Sequence, residues 1–313
     1  MSPGTALITG AGGQDGRLLT RLLRGEGWRV LAAARAGSGP SEADAAVPWP
    51  DDEPRTWRQR LDEHRVGVIY HLGGMTFSPD CEADPAAATA ALALRTAQVL
   101  DAAAAAADPP RVVLASSCEI FGRPERSPQD ERTPIVPRTV YGCAKAFAHQ
   151  LAQWYRERRG LFAANAILYP HESPLRRGPF LSRKVVQATM AASRGSRTPL
   201  VLGNLDAERD WTDAEDIVRG LACIAAHHRA DDWILASGRT HRVRDWCAHA
   251  YARFGLDWTA HVITDPALMR TEGIRVVGDA GKARRELGWE PRIGFGAMLD
   301  RLLDAETQAT ASR

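Results

Sequence analysis

Lysine is nearly missing from this chain: of 40 basic residues only three are lysines, Lys145, Lys184 and Lys282. Each one left is a candidate for what a guanidinium cannot do, such as presenting a compact ammonium with a movable pKa. Cysteine is sparse and odd in number. Cys81, Cys118, Cys143, Cys223 and Cys247 show no metal-ligand spacing, which argues against a metal site or a disulfide framework and for reduced thiols in a cytoplasm. No apolar run approaches the length of a membrane span, and no secretory segment precedes the first strand, so no membrane association is expected. Excess charge is also lacking. A net charge of +2 gives no electrostatic reason to expect nucleic acid as a partner. No internal repeat is present.

What is present is an ordinary globular composition, 44% apolar and 25% charged over 313 residues, enough for one large or two medium domains. The stretch "TALITGAGGQDGRLLTRLLRGEGWRVLAAAR" reads as strand, glycine turn, amphipathic helix and strand, with Leu18, Leu19, Leu22 and Leu23 at helical spacing. A loop of small residues follows, with one short strand near its end. Then come a helix at about 55–64, the strand "VGVIYHLGG", an alanine-rich helix at about 84–106 and the strand "RVVLASS". A helix from about Tyr141 to Arg159 leads to the strand "FAANAILYP", and "DWILASG" supplies the last strand. The alternation predicts an α/β fold, a doubly wound parallel sheet of the Rossmann type. Residues 1–169 and 210–240 are expected to form it, and 170–209 with 241–313 a smaller domain that binds substrate.

In "TGAGGQDG", Gly10, Gly13 and Gly16 have the spacing of a nucleotide-binding turn between strand and helix, where a pyrophosphate meets bare amides at the positive end of a helix. The second strand ends at Arg35, where an enzyme for NAD would carry an acid for the ribose hydroxyl. An arginine suits the 2′-phosphate of NADP. Asp51, after the third strand, is placed to cap the adenine amino group. In "TVYGCAKA", Tyr141 and Lys145 lie one helical turn apart, so the ammonium should lower the phenol pKa and make a phenolate that takes a proton from an alcohol. The stretch "ASSCEIFG" adds Ser117 and, two residues on, Glu119. Alternation along a strand would turn both to one face.

These stretches, with "ILYPHESPLRRG", "SRK", "GNLDAERDW" and "GDAGKARRELGWEPRIGF", resemble the GDP-mannose 4,6-dehydratase family of extended short-chain dehydrogenase/reductases over nearly the whole chain. The resemblance implies Ser117, Glu119, Tyr141 and Lys145 at catalytic positions. It implies Gly10, Gly13, Gln14, Asp15, Arg35, Leu72 and His171 at cofactor positions. Thr76, Glu172, Lys184, Arg209, Arg270 and Glu272 fall at positions that hold the GDP-sugar, where cations suit a diphosphate. Four departures stand out. Serine replaces the usual threonine at Ser117, Pro170 replaces an asparagine, Leu175 looks inserted before Arg176 and Arg177, and the segment after Arg35 is short. In the family that segment reaches a neighbouring subunit in a tetramer, so a homodimer is expected here.

The expected function is an NADP-dependent GDP-sugar 4,6-dehydratase: oxidation at C4, loss of water across C5–C6 and return of hydride to C6. Two other readings stay open: a related epimerase, ketoreductase or decarboxylase, and a degenerate NADP-binding regulatory protein. Loss of one water from substrate separates the first from the second, and turnover of any nucleotide sugar excludes the third.

Overall fold

The computed structural model describes residues 2–34, 42–48, 54–269 and 276–311. Strand β1 (Thr5–Thr9), helix α1 (Gln14–Gly25) and strand β2 (Arg29–Ala34) open the chain. They are followed by β3 (Ala45–Pro48), α2 (Pro54–Glu63) and β4 (Val66–His71). The alanine-rich stretch is not one helix. After the short α3 (Ser78–Ala83) it divides into α4 (Pro85–Thr89) and α5 (Arg95–Ala105) around a π-helical turn at Ala90–Leu94, which buries Leu92 with Ala144. Strand β5 (Arg111–Ser117), helix α6 (Val140–Arg159) and strand β6 (Ala163–Leu168) complete the regular alternation.

The remainder is β7 (His171–Glu172), α7 (Leu181–Ser193), β8 (Leu200–Leu202), β9 (Glu208–Asp210), β10 (Thr212–Asp213) and α8 (Ala214–Ala226). It ends with β11 (Asp232–Leu235), β12 (Thr240–Arg242), α9 (Val243–Ala252), β13 (Val262–Thr264) and α10 (Phe295–Ala311).

Seven strands pair in parallel in the order β11-β6-β5-β4-β1-β2-β3. Both faces are covered, and neighbouring residues on one strand serve opposite cores. Ile8, Val30 and Val68 pack under α1 and α8, while Leu7, Leu31 and Ile69 pack under α2 and α5. A third cluster joins Val185 and Val186 of α7 with Trp246 and Tyr251 of α9 and Met298 and Leu302 of α10. Trp211 packs in that third cluster, while Trp289, late in the chain, packs against the sheet with its indole donating to Asp216 O at 2.8 Å.

From β1 the chain winds outward to β3 and then returns to β4 on the other side. The crevice between the carboxyl ends of β1 and β4 is therefore the switch point where such sheets bind ligands.

Candidate active site

Two glycines make that crevice. Gly10 has φ +71°, and a Cβ there would sit 2.8 Å from Gly73 Cα; a Cβ on Gly16 would strike Gly10 O. The turn is thus built of bare backbone. Thr9 ties the two strand ends together: its hydroxyl accepts from Gly73 N at 2.9 Å and bonds His71 Nδ1 at 2.8 Å. Leu72, half-buried between His71 and Gly73, packs against the sheet core at the crevice. Helix α1 starts at Gly13, which has no side chain to cap the first-turn amides, and Gly12 faces open space.

Gln14, Asp15 and His171 bind this turn to the next segment. Gln14 Nε2 donates to His171 O at 3.3 Å and Ser173 Oγ donates to Gln14 Oε1 at 2.9 Å. His171 Nε2 meets Asp15 Oδ2 at 2.9 Å, with side chains 12% and 20% exposed. Burial opposes both charges, but each outweighs it for the other: the Asp15 carboxyl lies below its ordinary value and the His171 imidazole above.

A pH dependence follows. The His171 contribution is complete below the ordinary imidazole value of 6.5 and fades as pH rises through its raised folded value; that of Asp15 is complete above 3.8 and fades in acid. Asp15→Asn is expected to cost about 1 to 3 kcal/mol at pH 5 to 6. In urea titrations across pH 5 to 9, the gap to the parent should narrow on the alkaline side.

The reacting groups gather where β5 ends. Ser117 Oγ accepts from Glu119 N at 3.2 Å, and its hydroxyl favours ionisation of the nearby Tyr141 phenol. Lys145 Nζ donates to Ala115 O at 2.6 Å and lies 5.8 Å from the centre of the Tyr141 ring. Thr139 caps α6 by accepting from Gly142 N at 2.9 Å, and its hydroxyl stands 3.5 Å from Glu119 Oε2. Between Tyr141 and Lys145, Gly142 lets the helix start press on the preceding turn: a Cβ there would come within 2.7 Å of Glu119 O.

Two expectations need correction. Strand β5 stops at Ser117, and Glu119 belongs to a 3-10 turn, Cys118–Ile120, so strand alternation is not what aims it. The turn and α6 place the exposed Glu119 carboxylate near the phenol, whose ionisation it opposes. Nor does Lys145 lower the Tyr141 pKa in the protein by itself. Burial drives the phenol well above its ordinary value, Ser117 works weakly against that, and burial also pushes the Lys145 ammonium down to about 8.

Four of the substrate and cofactor candidates outside this centre and the glycine turn, Thr76, Glu172, Lys184 and Arg209, lie among the described residues. Thr76 is exposed on the loop after β4, and Lys184 is exposed on the first turn of α7. An edge-on contact of Phe77 with Phe180, 5.4 Å between ring centres, brings their segments together. Arg209 on β9 donates to Glu208 O at 2.7 Å, and its charge, like that of Glu119, acts on buried Cys118. Glu172 is buried, accepting from Ser182 Oγ at 2.7 Å and Arg176 Nε at 3.1 Å, so much of its acceptor capacity is already used. Arg35, Asp51, Arg270 and Glu272 lie outside the described residues.

Asp210 is a further residue of this region, not among the candidates named from the sequence. Fully buried, it accepts from Ser237 N, Gly238 N and Gly278 N at 2.9, 3.0 and 3.2 Å and anchors the strand that carries Arg209. Its only signal was its place in "ERDW".

The family model for GDP-mannose 4,6 dehydratase matches residues 51–302. The chain belongs to the GDP-mannose 4,6-dehydratase family. GDP-mannose 4,6 dehydratase 1 of Arabidopsis thaliana is 33% identical over 97% of this chain and 90% of its own length. The GDP-mannose 4,6-dehydratase of Sinorhizobium fredii is 34% identical over 91% of each. Among solved structures, DesIV of Streptomyces venezuelae, a dTDP-glucose 4,6-dehydratase with NAD bound, superposes with TM-score 0.85 over 98% of each chain at 22% identity, a likeness of fold.

Leu175 and Pro170, marked in the sequence as expected departures, make defined contacts. Leu175 packs against the sheet core, and the next residue, Arg176, pairs with Glu172 at 3.1 Å. Pro170 offers only its carbonyl, which accepts from Thr212 N at 3.0 Å and ties β7 to β10.

Proposed function

We propose that this family member is an NADP-dependent GDP-sugar 4,6-dehydratase. The observation that carries it is the convergence of Ser117, Tyr141 and Lys145 at the end of β5 with a carboxylate, Glu119, on the turn that follows. A dinucleotide fits the crevice, where bare glycine backbone and the uncapped start of α1 leave room and amides for a diphosphate. A bound nicotinamide supplies a hydride acceptor that is also the donor, so oxidation and reduction cancel and only water leaves.

The chain's own residues do the proton work. Tyr141 acts as the phenolate, its charge offset by the Lys145 ammonium, and takes the proton of the sugar's 4-hydroxyl to become the phenol, with Ser117 beside it at the end of β5. Glu119 then removes the C5 proton, made acidic by the neighbouring ketone. Thr76, Glu172, Lys184, Arg209, Arg270 and Glu272 are the residues we assign to the GDP-sugar. Gly10, Gly13, Gly16, Gln14, Asp15, Leu72, His171 and Asp51 belong to the cofactor side. The division of labour runs between 1–169 with 210–240, for cofactor, and 170–209 with 241–313, for sugar.

Incubation with GDP-mannose and mass spectrometry tests the reading. A product lighter by one water is expected; an isomer of unchanged mass would make the enzyme an epimerase. Arg35 is the reason for NADP. Arg35→Ala should weaken NADP binding by at least about tenfold and NAD binding hardly at all, measured by fluorescence titration.

We also propose a homodimer, working in the cytoplasm. Leu94, Phe147 and Trp154 are 55%, 51% and 47% exposed, and Phe147 and Trp154 stand two turns apart on α6. Large apolar side chains grouped in this way mark an association face. Phe147→Glu with Trp154→Glu should raise the dimer dissociation constant by about a hundredfold or more, read by light scattering over a dilution series. No helix among the described residues is long and apolar enough to cross a membrane.

A further inference from the structure

Behind Lys145 lies a small polar cavity that the chemistry above leaves unused. Its volume is about 10 Å³, and His71, Thr96, Ser116, Lys145, His149 and Asn165 are on its walls. That is room for one water, which needs two to four polar partners to stay. One partner is marked out. Fully buried Asn165 donates through Nδ2 to His149 O at 3.1 Å and to Asp232 Oδ1 at 2.9 Å. Both neighbours are acceptors, so the amide nitrogen must face them, and Oδ1 is left without a partner among the described residues. Lys145 offers the complement, because an ammonium carries three donors and Ala115 O takes one.

We propose that a water in this cavity bridges Lys145 Nζ to Asn165 Oδ1, which makes Asn165 a positioning residue for the lysine. The assignment rests on the role given to Lys145 above. A rigid cluster fixes the amide. Ser116 Oγ meets His149 Nδ1 at 3.0 Å, Gln153 Nε2 donates to Asp232 Oδ2 at 2.7 Å, and Arg156 Nη1 donates to Asp232 Oδ1 at 3.1 Å.

The water matters because little else steadies this charge. Asp15 and Cys81 favour the ammonium, His71 is held neutral by burial, and Tyr141 and His149 complete the titratable surroundings. Burial outweighs the favourable terms and leaves Lys145 titrating at about 8. Removing a buried water that accepts from it must lower it further.

The near-absence of lysine makes the test direct. Carbon-13 labelling at lysine Cε puts three signals in the full-length protein, and Lys145→Met with Lys282→Arg assigns them. Titration by NMR, with and without NADP, should put Lys145 near 8 in the parent without cofactor. Asn165→Leu, apolar and of similar size, should bring that midpoint to about 7, whereas Asn165→Ala, with room for a second water, should keep it near the parent's. Ser116→Ala, which removes another polar wall while leaving Asn165 in place, should lower it in the same sense and serves if the leucine variant fails to fold.

A Lys145 midpoint unchanged in Asn165→Leu and Ser116→Ala, or lowered equally by leucine and alanine, overturns the bridge. Turnover of GDP-mannose in the same samples keeps the two readings apart. An inactive parent with the expected midpoints upholds the bridge and sinks the dehydratase assignment.

Discussion

Glu119→Gln is expected to stop the loss of water while C4 oxidation survives in part. Glutamine keeps the size and hydrogen-bonding reach of the side chain and removes only its ability to take a proton. A base acting on carbon next to a ketone contributes a factor of about 10² to 10⁴, so release of the 6-deoxy-4-keto product should fall by about three orders of magnitude. Exchange of the C5 proton with deuterated solvent should fall with it. Reduced-nicotinamide absorbance should still develop on adding substrate, because Lys145 is held by Ala115 O and lies 5.8 Å from the centre of the Tyr141 ring without any contact to the carboxylate. Thr139, which caps α6 through its hydroxyl, also stays in place. Tyr141→Phe is the contrast, since it should abolish the absorbance change as well. Elimination at near-parent rates in Glu119→Gln would reduce Glu119 to a brace between the turn and α6, and the dehydratase mechanism would lose its base.

That experiment is needed because Glu119 marks where sequence reading reaches its limit. The order of strands and helices was legible, since a parallel strand buried on both faces leaves a short apolar run and each crossover helix leaves a 3.6-residue period. Neighbours such as Leu7 and Ile8 serve opposite cores, which a purely local pattern can announce. The residue types of the site were legible too, because a glycine turn and a Tyr-x-x-x-Lys pair are local.

Direction and charge state were not. Glu119 lies near the phenol on a 3-10 turn that Gly142 of the next helix presses against, a contact between residues far apart in sequence. The lowered Lys145 pKa comes from burial, which spacing along a helix does not reveal. Asp216 shows the same limit: it accepts from Arg292 N and Ile293 N, each at 2.8 Å, holding the chain before α10 against α8 from more than seventy residues away in sequence.

Asp210→Asn should be among the most damaging single substitutions in the chain, although it changes one atom and touches no reacting group. The carboxylate is fully buried and faces donors only: the amides of Ser237, Gly238 and Gly278, and the Ser237 hydroxyl. Burial still lifts its pKa above the ordinary value, so the site tolerates the charge only because these donors surround it. Asparagine must turn an NH₂ toward some of them, which breaks at least one bond and sets donor against donor. An unpartnered buried group costs about 1 to 3 kcal/mol, more where charge is involved. A loss of about 3 kcal/mol is expected, read as a lower urea midpoint with unchanged slope. The damage should spread, since these bonds join the segment after β11, the segment before α10 and the antiparallel β9–β12 pair. Arg209→Ala, one residue earlier, should do the reverse. Stability should stay within about 0.5 kcal/mol, while GDP binding weakens by about ten- to a hundredfold, the worth of one charge-assisted bond to phosphate. Neighbouring residues of one motif would thus divide its work, Asp210 fixing the strand and Arg209 using it. Parent-like stability in Asp210→Asn, or unfolding in Arg209→Ala, would refute that division.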